Sequence, residues 1–306
     1  MGPLLAGSSG AVSLRGLVLD VQGGPLPLAV DGVLAALAGG YLAGTRRLRR
    51  RGRPWSATAS GCFLCGLAVL FVALCGGIAA HDEASFPVHM TQHVLLMMVA
   101  PPLLVLGCPV RLVAQAAPRS LQRRLVGVVH SLPARVLVGP VAWLLYFGTM
   151  WGYVLSPLYA DSLRSATAHG ATHAGFLAVG LCYWESIIGG DGRRPVSPVV
   201  RGIGLMVSAP VESALGLVLM VRTRALAGAS LAATHAGGQL FWMEAMAVMG
   251  VALFATLWGW ARDEEHRRSM RFASATRHLL DEAERVVRSG VAHPGDVLIR
   301  PDEDEP

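Results

Sequence analysis

Apolar runs of roughly twenty residues recur along the whole chain, separated by short stretches rich in arginine, glycine and proline. Coiled at about 1.5 Å per residue, such a run matches the thickness of the hydrocarbon core of a bilayer. The runs predict membrane helices over about 26–44, 56–80, 88–109, 136–155, 166–188, 202–221 and 236–260. The fold class that follows is all-α, a polytopic membrane bundle of about seven transmembrane helices, because inside lipid a helix satisfies its own backbone.

The polar connections set the direction of travel. Arg46, Arg47, Arg49, Arg50, Arg51 and Arg53 follow the first run, Arg111, Arg119, Arg123, Arg124 and Arg135 the third, and Arg193, Arg194 and Arg201 the fifth. The opposite side receives only Arg15, Arg164, Arg222 and Arg224. This asymmetry predicts an amino terminus outside and a carboxy terminus in the cytoplasm. Residues 1–25 read as a short extracytoplasmic tail, since they lack the basic start and small-residue cleavage site of a signal peptide. Residues 26–260 form the membrane domain, and 261–306 read as a cytoplasmic charged helix with a disordered acidic tip.

Composition agrees: 53% of the residues are hydrophobic and only 15% charged, a balance that a soluble core does not need. The net charge of +6 sits in the arginine connections, where it sets topology, so no nucleic-acid partner is expected. Membrane lipid is the expected surrounding. No internal repeat is visible, which gives no support to an inverted-repeat transporter. The five cysteines are an odd number scattered through apolar runs and read as free thiols. No nucleophile triad, phosphate loop or pair of catalytic carboxylates lies in an accessible segment, so an enzyme is not expected.

The histidines carry the most information. His89 and His93 fall in the first outer turns of the third helix, His169 and His173 in those of the fifth, His81 at the end of the second and His235 at the start of the seventh. A spacing of four puts both imidazoles of a pair on one helix face, so two facing pairs offer up to four nitrogen ligands to one site. Met97 continues the His89–His93 stripe, and imidazole with thioether suits copper, the sulfur favouring Cu(I). A lone interfacial histidine is an ordinary amphipathic residue, whereas two such pairs at one depth point to a metal or haem. Cys62, Cys65, Cys108 and Cys182 fall toward the inner side; they suit ordinary helix packing or, alternatively, a second copper station. Asp31, Glu185, Glu212 and Glu244 also lie within apolar runs and must face the bundle, a partner or water.

The stretch Phe86-Pro87-Val88-His89-Met90-Thr91-Gln92-His93, continuing through Met97-Met98 and Pro101-Pro102 to Gly107-Cys108-Pro109, closely resembles the hallmark helix of the CtaG family associated with caa3-type cytochrome c oxidase assembly. Tyr41 through Gly44 with the arginine run and Trp55, Trp151 with Pro157-Leu158-Tyr159, the His169/His173 pair, Gly237-Gly238 with Trp242, and Trp260 through Glu265 are similar to the same family. The likeness covers about 26–268. It implies a seven-helix bacterial plasma-membrane protein that helps assemble the oxidase at its copper centres, with subunits of a haem-copper terminal oxidase as partners. This integral-membrane family is distinct from the single-span copper chaperone that shares its name. Two positions depart from the family pattern: Gly152 stands where a histidine often follows the tryptophan, and Ala233-Thr234 stand where an Asp-Gln pair commonly precedes the double glycine. His235 is a candidate substitute ligand.

The expectation is therefore a non-enzymatic assembly factor binding copper on the extracytoplasmic side through His89, His93, His169 and His173, with Met97 and His235 as further candidates. A haem-binding membrane cytochrome, a copper permease and a metal-free scaffold remain as alternatives.

Overall fold

The computed structural model describes residues 16, 20–21, 23–82, 84–129, 131, 140–189 and 197–288. The start of the expected outer tail, His130, Arg135, Arg193, Arg194, His293 and the acidic tip lie outside the described residues. Among the described residues there are helices and no strand. Five helical stretches are long and apolar enough to cross a membrane: Pro25–Arg50, Ala57–Leu74, Phe86–Ala116, Pro198–Val221 and Leu231–Val286, with Val141–Leu155 a shorter apolar helix. Large apolar side chains such as Leu28, Leu144, Met206 and Val251 point outward, as they do where the surrounding solvent is lipid.

Helix α1 (Pro25–Arg50) runs past its expected end at 44, and Arg47, Arg49 and Arg50 form its last turn. Cations there interact favourably with the negative end of the helix dipole, and most of the expected arginine loop is helix. Helix α2 (Ala57–Leu74) begins where the Ser56 hydroxyl accepts from the Ala59 N–H. The expected single helix over 56–80 is broken at Cys75-Gly76. A Cβ on Gly76 would meet the Val72 backbone at 2.9 Å, so the close approach at this break requires glycine. The short α3 (Gly77–His81) then leads to Asp82.

The hallmark stretch is not one α-helix. It comprises α4 (Phe86–Val94), a π-turn (Leu95–Val99) and α5 (Ala100–Leu106). Pro101 and Pro102 explain the change. Without N–H groups they leave the Met97 carbonyl with neither its α partner four residues on nor its π partner five residues on. The Trp184 Nε1–H donates to that carbonyl at 3.0 Å. The Ala100 N–H reaches back to the Leu95 carbonyl in the π pattern. The stretch ends at Cys108, in left-handed geometry at φ 48°. The Tyr41 hydroxyl donates to the Gly107 carbonyl at 2.8 Å and accepts from Trp55 Nε1 at 2.9 Å, tying this end to α1.

Two further helices, α6 (Pro109–Ala116) and α7 (Arg119–Val129), occupy the expected inner connection. They are followed by α8 (Pro140–Leu155), the short α9 (Leu158–Ser162) and α10 (Ala166–Ile188), whose bounds match the expected 166–188. Next comes α11 (Pro198–Val221), with Pro210 in its interior. The last helix, α12 (Leu231–Arg288), continues well beyond the expected 260.

The chain divides into two compact units, Met1–Leu253 and Phe254–Pro306. In the first, α5 packs against α2 and α10, the π-turn and α8 also pack on α10, and α1 packs on α2 and α6. Contact between α10 and the π-turn is close because Gly180 faces it: a Cβ there would lie 2.8 Å from the Pro101 ring and 2.9 Å from the Met97 carbonyl oxygen. Small residues play this part in membrane bundles, where helices gain contact by approaching closely. Across the same unit, Thr91 donates to Glu244 at 2.9 Å and Ser213 to the Met246 sulfur at 2.9 Å. The second unit's described part is helical and charged, with Glu264 paired to Arg267 and Arg268, and Glu284 to Arg288.

Candidate metal centre

Helix α4 presents His89 and His93 one turn apart, and α10 presents His169 and His173 one turn apart just after its cap, where the Ser165 hydroxyl accepts from the Ala168 N–H. The two pairs face each other. His89 stacks on His169 with ring centroids 5.3 Å apart, and His93 meets His173 at 6.0 Å. Within each helix the rings are 4.3 Å apart. Four imidazoles from two helices thus form one cluster.

Aromatic rings enclose it. Phe176 lies 4.5 Å from His93, Tyr153 5.2 Å from His93, and Tyr159 5.4 Å from His89. The Tyr153 hydroxyl and Ser162 Oγ are 2.8 Å apart, and Ser162 donates to the Tyr159 carbonyl at 2.8 Å. That link ties α8 to α9 and holds both tyrosine rings against the histidines. The result is a buried enclosure: His89 is 1% exposed, His93 0%, His169 7% and His173 8%.

Such burial normally requires hydrogen bonds. Both ring nitrogens of His89, both of His93 and Nε2 of His173 are buried with no protein hydrogen-bond partner. A buried polar atom without a partner costs about 1–3 kcal/mol, so a fold seldom keeps several in one place without another use for them. Clustered imidazole nitrogens with free lone pairs are the donor set of a late first-row metal. The residues therefore fit a metal ion.

One acidic side chain joins them. Asp82, 6% exposed, places Oδ2 3.8 Å from His169 Nε2. One ligand atom each from Asp82, His169 and His173 lies within 4.8 Å of the others, and among the described residues no other set of three histidine, cysteine or acidic ligands is as tight. Sequence reasoning missed this residue because it sits in a short connection between two runs, where an acid reads as solvated. The available signal was its place beside His81, in the expected outer connection that leads into the His89/His93 helix.

The remaining candidates are placed elsewhere. Met97 is fully buried one turn beyond His93, within the π-turn. The Nε2 of His235 is 2.9 Å from the Arg222 carbonyl, a contact across the connection between α11 and α12. Beside it, Thr234 accepts from the Leu226 N–H and donates to the Ser230 carbonyl, so this departure from the family pattern closes the same connection. His81 Nδ1 bonds the Gly77 carbonyl at 2.8 Å. Gly152 lines a cavity of about 420 Å³ together with Tyr153, Ser162 and Phe176, and an added Cβ there would meet nothing within 4 Å. None of the five cysteines forms a disulfide, and Cys65 is exposed.

An uncharacterized protein of Mycobacterium leprae (strain TN) is 30% identical over 253 residues, which cover 76% of this chain and 38% of that protein. Uncharacterized proteins of Mycobacterium bovis and Mycobacterium tuberculosis are each 30% identical over 250 residues, covering 74% of this chain and 38% of theirs. The chain thus spans well under half the length of these relatives. No solved structure matches it significantly. The family model described as cytochrome c oxidase caa3 assembly factor matches residues 39–263, the stretch that contains all four clustered histidines, Asp82 and the π-turn, and the chain belongs to that family.

Proposed function

We propose that this protein binds copper at the four-histidine cluster and supports its insertion into the copper centres of a haem-copper terminal oxidase. The observation that carries the reading is the set of five buried imidazole nitrogens without protein partners where α4 meets α10. Copper is favoured because an imidazole-rich, enclosed site with a methionine one turn further in matches the preferences of Cu(I). The arginine asymmetry supports seven spans within 26–260, an outer amino terminus and a cytoplasmic 261–306, in a bacterial cell membrane. The cluster then lies toward the outer face. The role proposed is binding and handover, not catalysis, with oxidase subunits as partners.

The close ring packing argues against haem. The four imidazoles lie 4.3–6.0 Å from their neighbours and are capped by Tyr153, Tyr159 and Phe176, which leaves no flat slot for a macrocycle between them.

The test is Cu(I) competition against a chromogenic chelator, using detergent-purified protein and a variant with His89, His93, His169 and His173 all changed to alanine. The expected result is one tightly held copper in the parent and none in the variant, with helicity unchanged by circular dichroism. Equal copper in both proteins overturns the site. No copper in either, with helicity intact, leaves a metal-free scaffold.

A further inference from the structure

Asp82 changes the chemistry that the cluster offers. His89 and His93 supply nitrogen alone, whereas the other side of the enclosure combines two imidazoles with a carboxylate. A carboxylate oxygen is a hard, negatively charged donor. It strengthens binding of divalent first-row ions and adds little for Cu(I), which is satisfied by soft or neutral ligands at low coordination number. Two histidines and one carboxylate with open positions form a recurrent arrangement for divalent ions.

The geometry is close to binding distance. If the three ligand atoms stood at the corners of a triangle with the full 4.8 Å sides, its centre would lie about 2.8 Å from each. An inward movement of about 0.7 Å per ligand reaches the metal–nitrogen and metal–oxygen distance of about 2.1 Å. Shifts of that size are within the side-chain adjustments that accompany ligand binding. The three ligands also come from two separate parts of the chain, the end of α3 and the first turns of α10, so bringing them together is a property of the fold rather than of one helix face.

We infer that Asp82, His169 and His173 form a station for a divalent transition-metal ion, adjoining the all-imidazole His89/His93 half of the cluster. This rests on the proposed metal role of the cluster and goes beyond it: the centre accepts a divalent ion through one residue, Asp82, on which the divalent ion depends more than Cu(I) does. An alternative in which Asp82 merely orients His169 makes a different prediction, because misorienting a shared imidazole weakens both kinds of ion.

The experiment uses the full chain in detergent or nanodiscs, with Co(II) as the optical probe of the divalent station and Cu(I) measured by chelator competition. The variants are Asp82→Asn, nearly isosteric, and Asp82→Glu, which keeps the charge. The parent is expected to bind one Co(II) with ligand-field bands of a low-coordinate nitrogen/oxygen site. Asp82→Asn is expected to weaken Co(II) at least about tenfold more than it weakens Cu(I), and Asp82→Glu to recover part of the loss. Unchanged helicity by circular dichroism and an unchanged metal-free melting temperature check that Asp82→Asn is folded. Equal weakening of both ions, or of neither, overturns the station. Cu(I) binding by a parent that takes no Co(II) overturns the station and leaves the copper reading standing. Asp82-dependent Co(II) binding by a parent that takes no Cu(I) supports the station and overturns the copper reading.

Discussion

His93 tests whether the cluster is kept for the fold or for a ligand. Its ring is fully buried, and neither nitrogen has a protein hydrogen-bond partner. In a metal-free protein those two atoms each cost about 1–3 kcal/mol, or about 2–6 kcal/mol together. Leucine has a similar volume and no polar atom, so His93→Leu removes that cost. It also loses the ring contacts with Phe176 and Tyr153, worth about 0.5–1.5 kcal/mol each. The midpoints, about 4 against about 2 kcal/mol, favour the variant by about 2 kcal/mol. Metal-stripped parent and variant would be unfolded thermally in the same detergent, and the variant is expected to melt at the higher temperature. Copper reverses the order: a ligand at a hundred times its dissociation constant adds about 2.7 kcal/mol to the parent and nothing comparable to a variant that has lost a ligand. A metal-free His93→Leu that melts below the parent refutes the reasoning, since it means the imidazole contributes to the fold itself.

Three other outcomes follow from the packing and the charge pattern. Gly180→Ala places a methyl 2.8 Å from the Pro101 ring and 2.9 Å from the Met97 carbonyl, neither of which can swing aside. The overpacking cost of about 1–3 kcal/mol exceeds the helix-propensity gain of about 1 kcal/mol, so the melting temperature should fall and copper retention weaken. Gly175→Ala on the same helix, with nothing within 4 Å of the new Cβ, should not destabilise at all and serves as the control. Gly152→His should fold normally, because its Cβ enters open space beside a cavity of about 420 Å³; a loss above about 1 kcal/mol in thermal unfolding would show that the room is not there. For topology, a fluorescent-protein fusion at the carboxy terminus should fluoresce and an alkaline phosphatase fusion just after Ser162 should be active, whereas the reverse pattern contradicts the orientation drawn from the arginines.

The helical class was legible because apolar runs of membrane length have few other uses, and the bounds of α10 were legible because Ser165 and Gly189 punctuate it cleanly. Interruptions were harder to see. The break at Gly76 depends on contact with Val72 in the preceding turn, and the π-turn depends on two prolines whose orphaned carbonyl finds Trp184 from a helix far along the chain. Helices α6 and α7 were read as an inner connection because their arginines resemble a loop, although arginine is a good helix former. For the site, the i, i+4 spacing identified both histidine pairs, but no local pattern states that α4 and α10 are neighbours. That adjacency comes from the tertiary fold, as does the approach of Asp82. His235 shared the depth of the pairs in sequence, yet its nitrogen lies against the Arg222 carbonyl.

The most direct measurement is X-ray absorption at the copper edge of copper-loaded, detergent-purified protein. The account predicts a first shell dominated by nitrogen and oxygen at about 2.0 Å, with the outer-shell scattering of several imidazole rings. A shell dominated by sulfur at about 2.3 Å would contradict it, because copper would then be held by the cysteines and not by the four histidines.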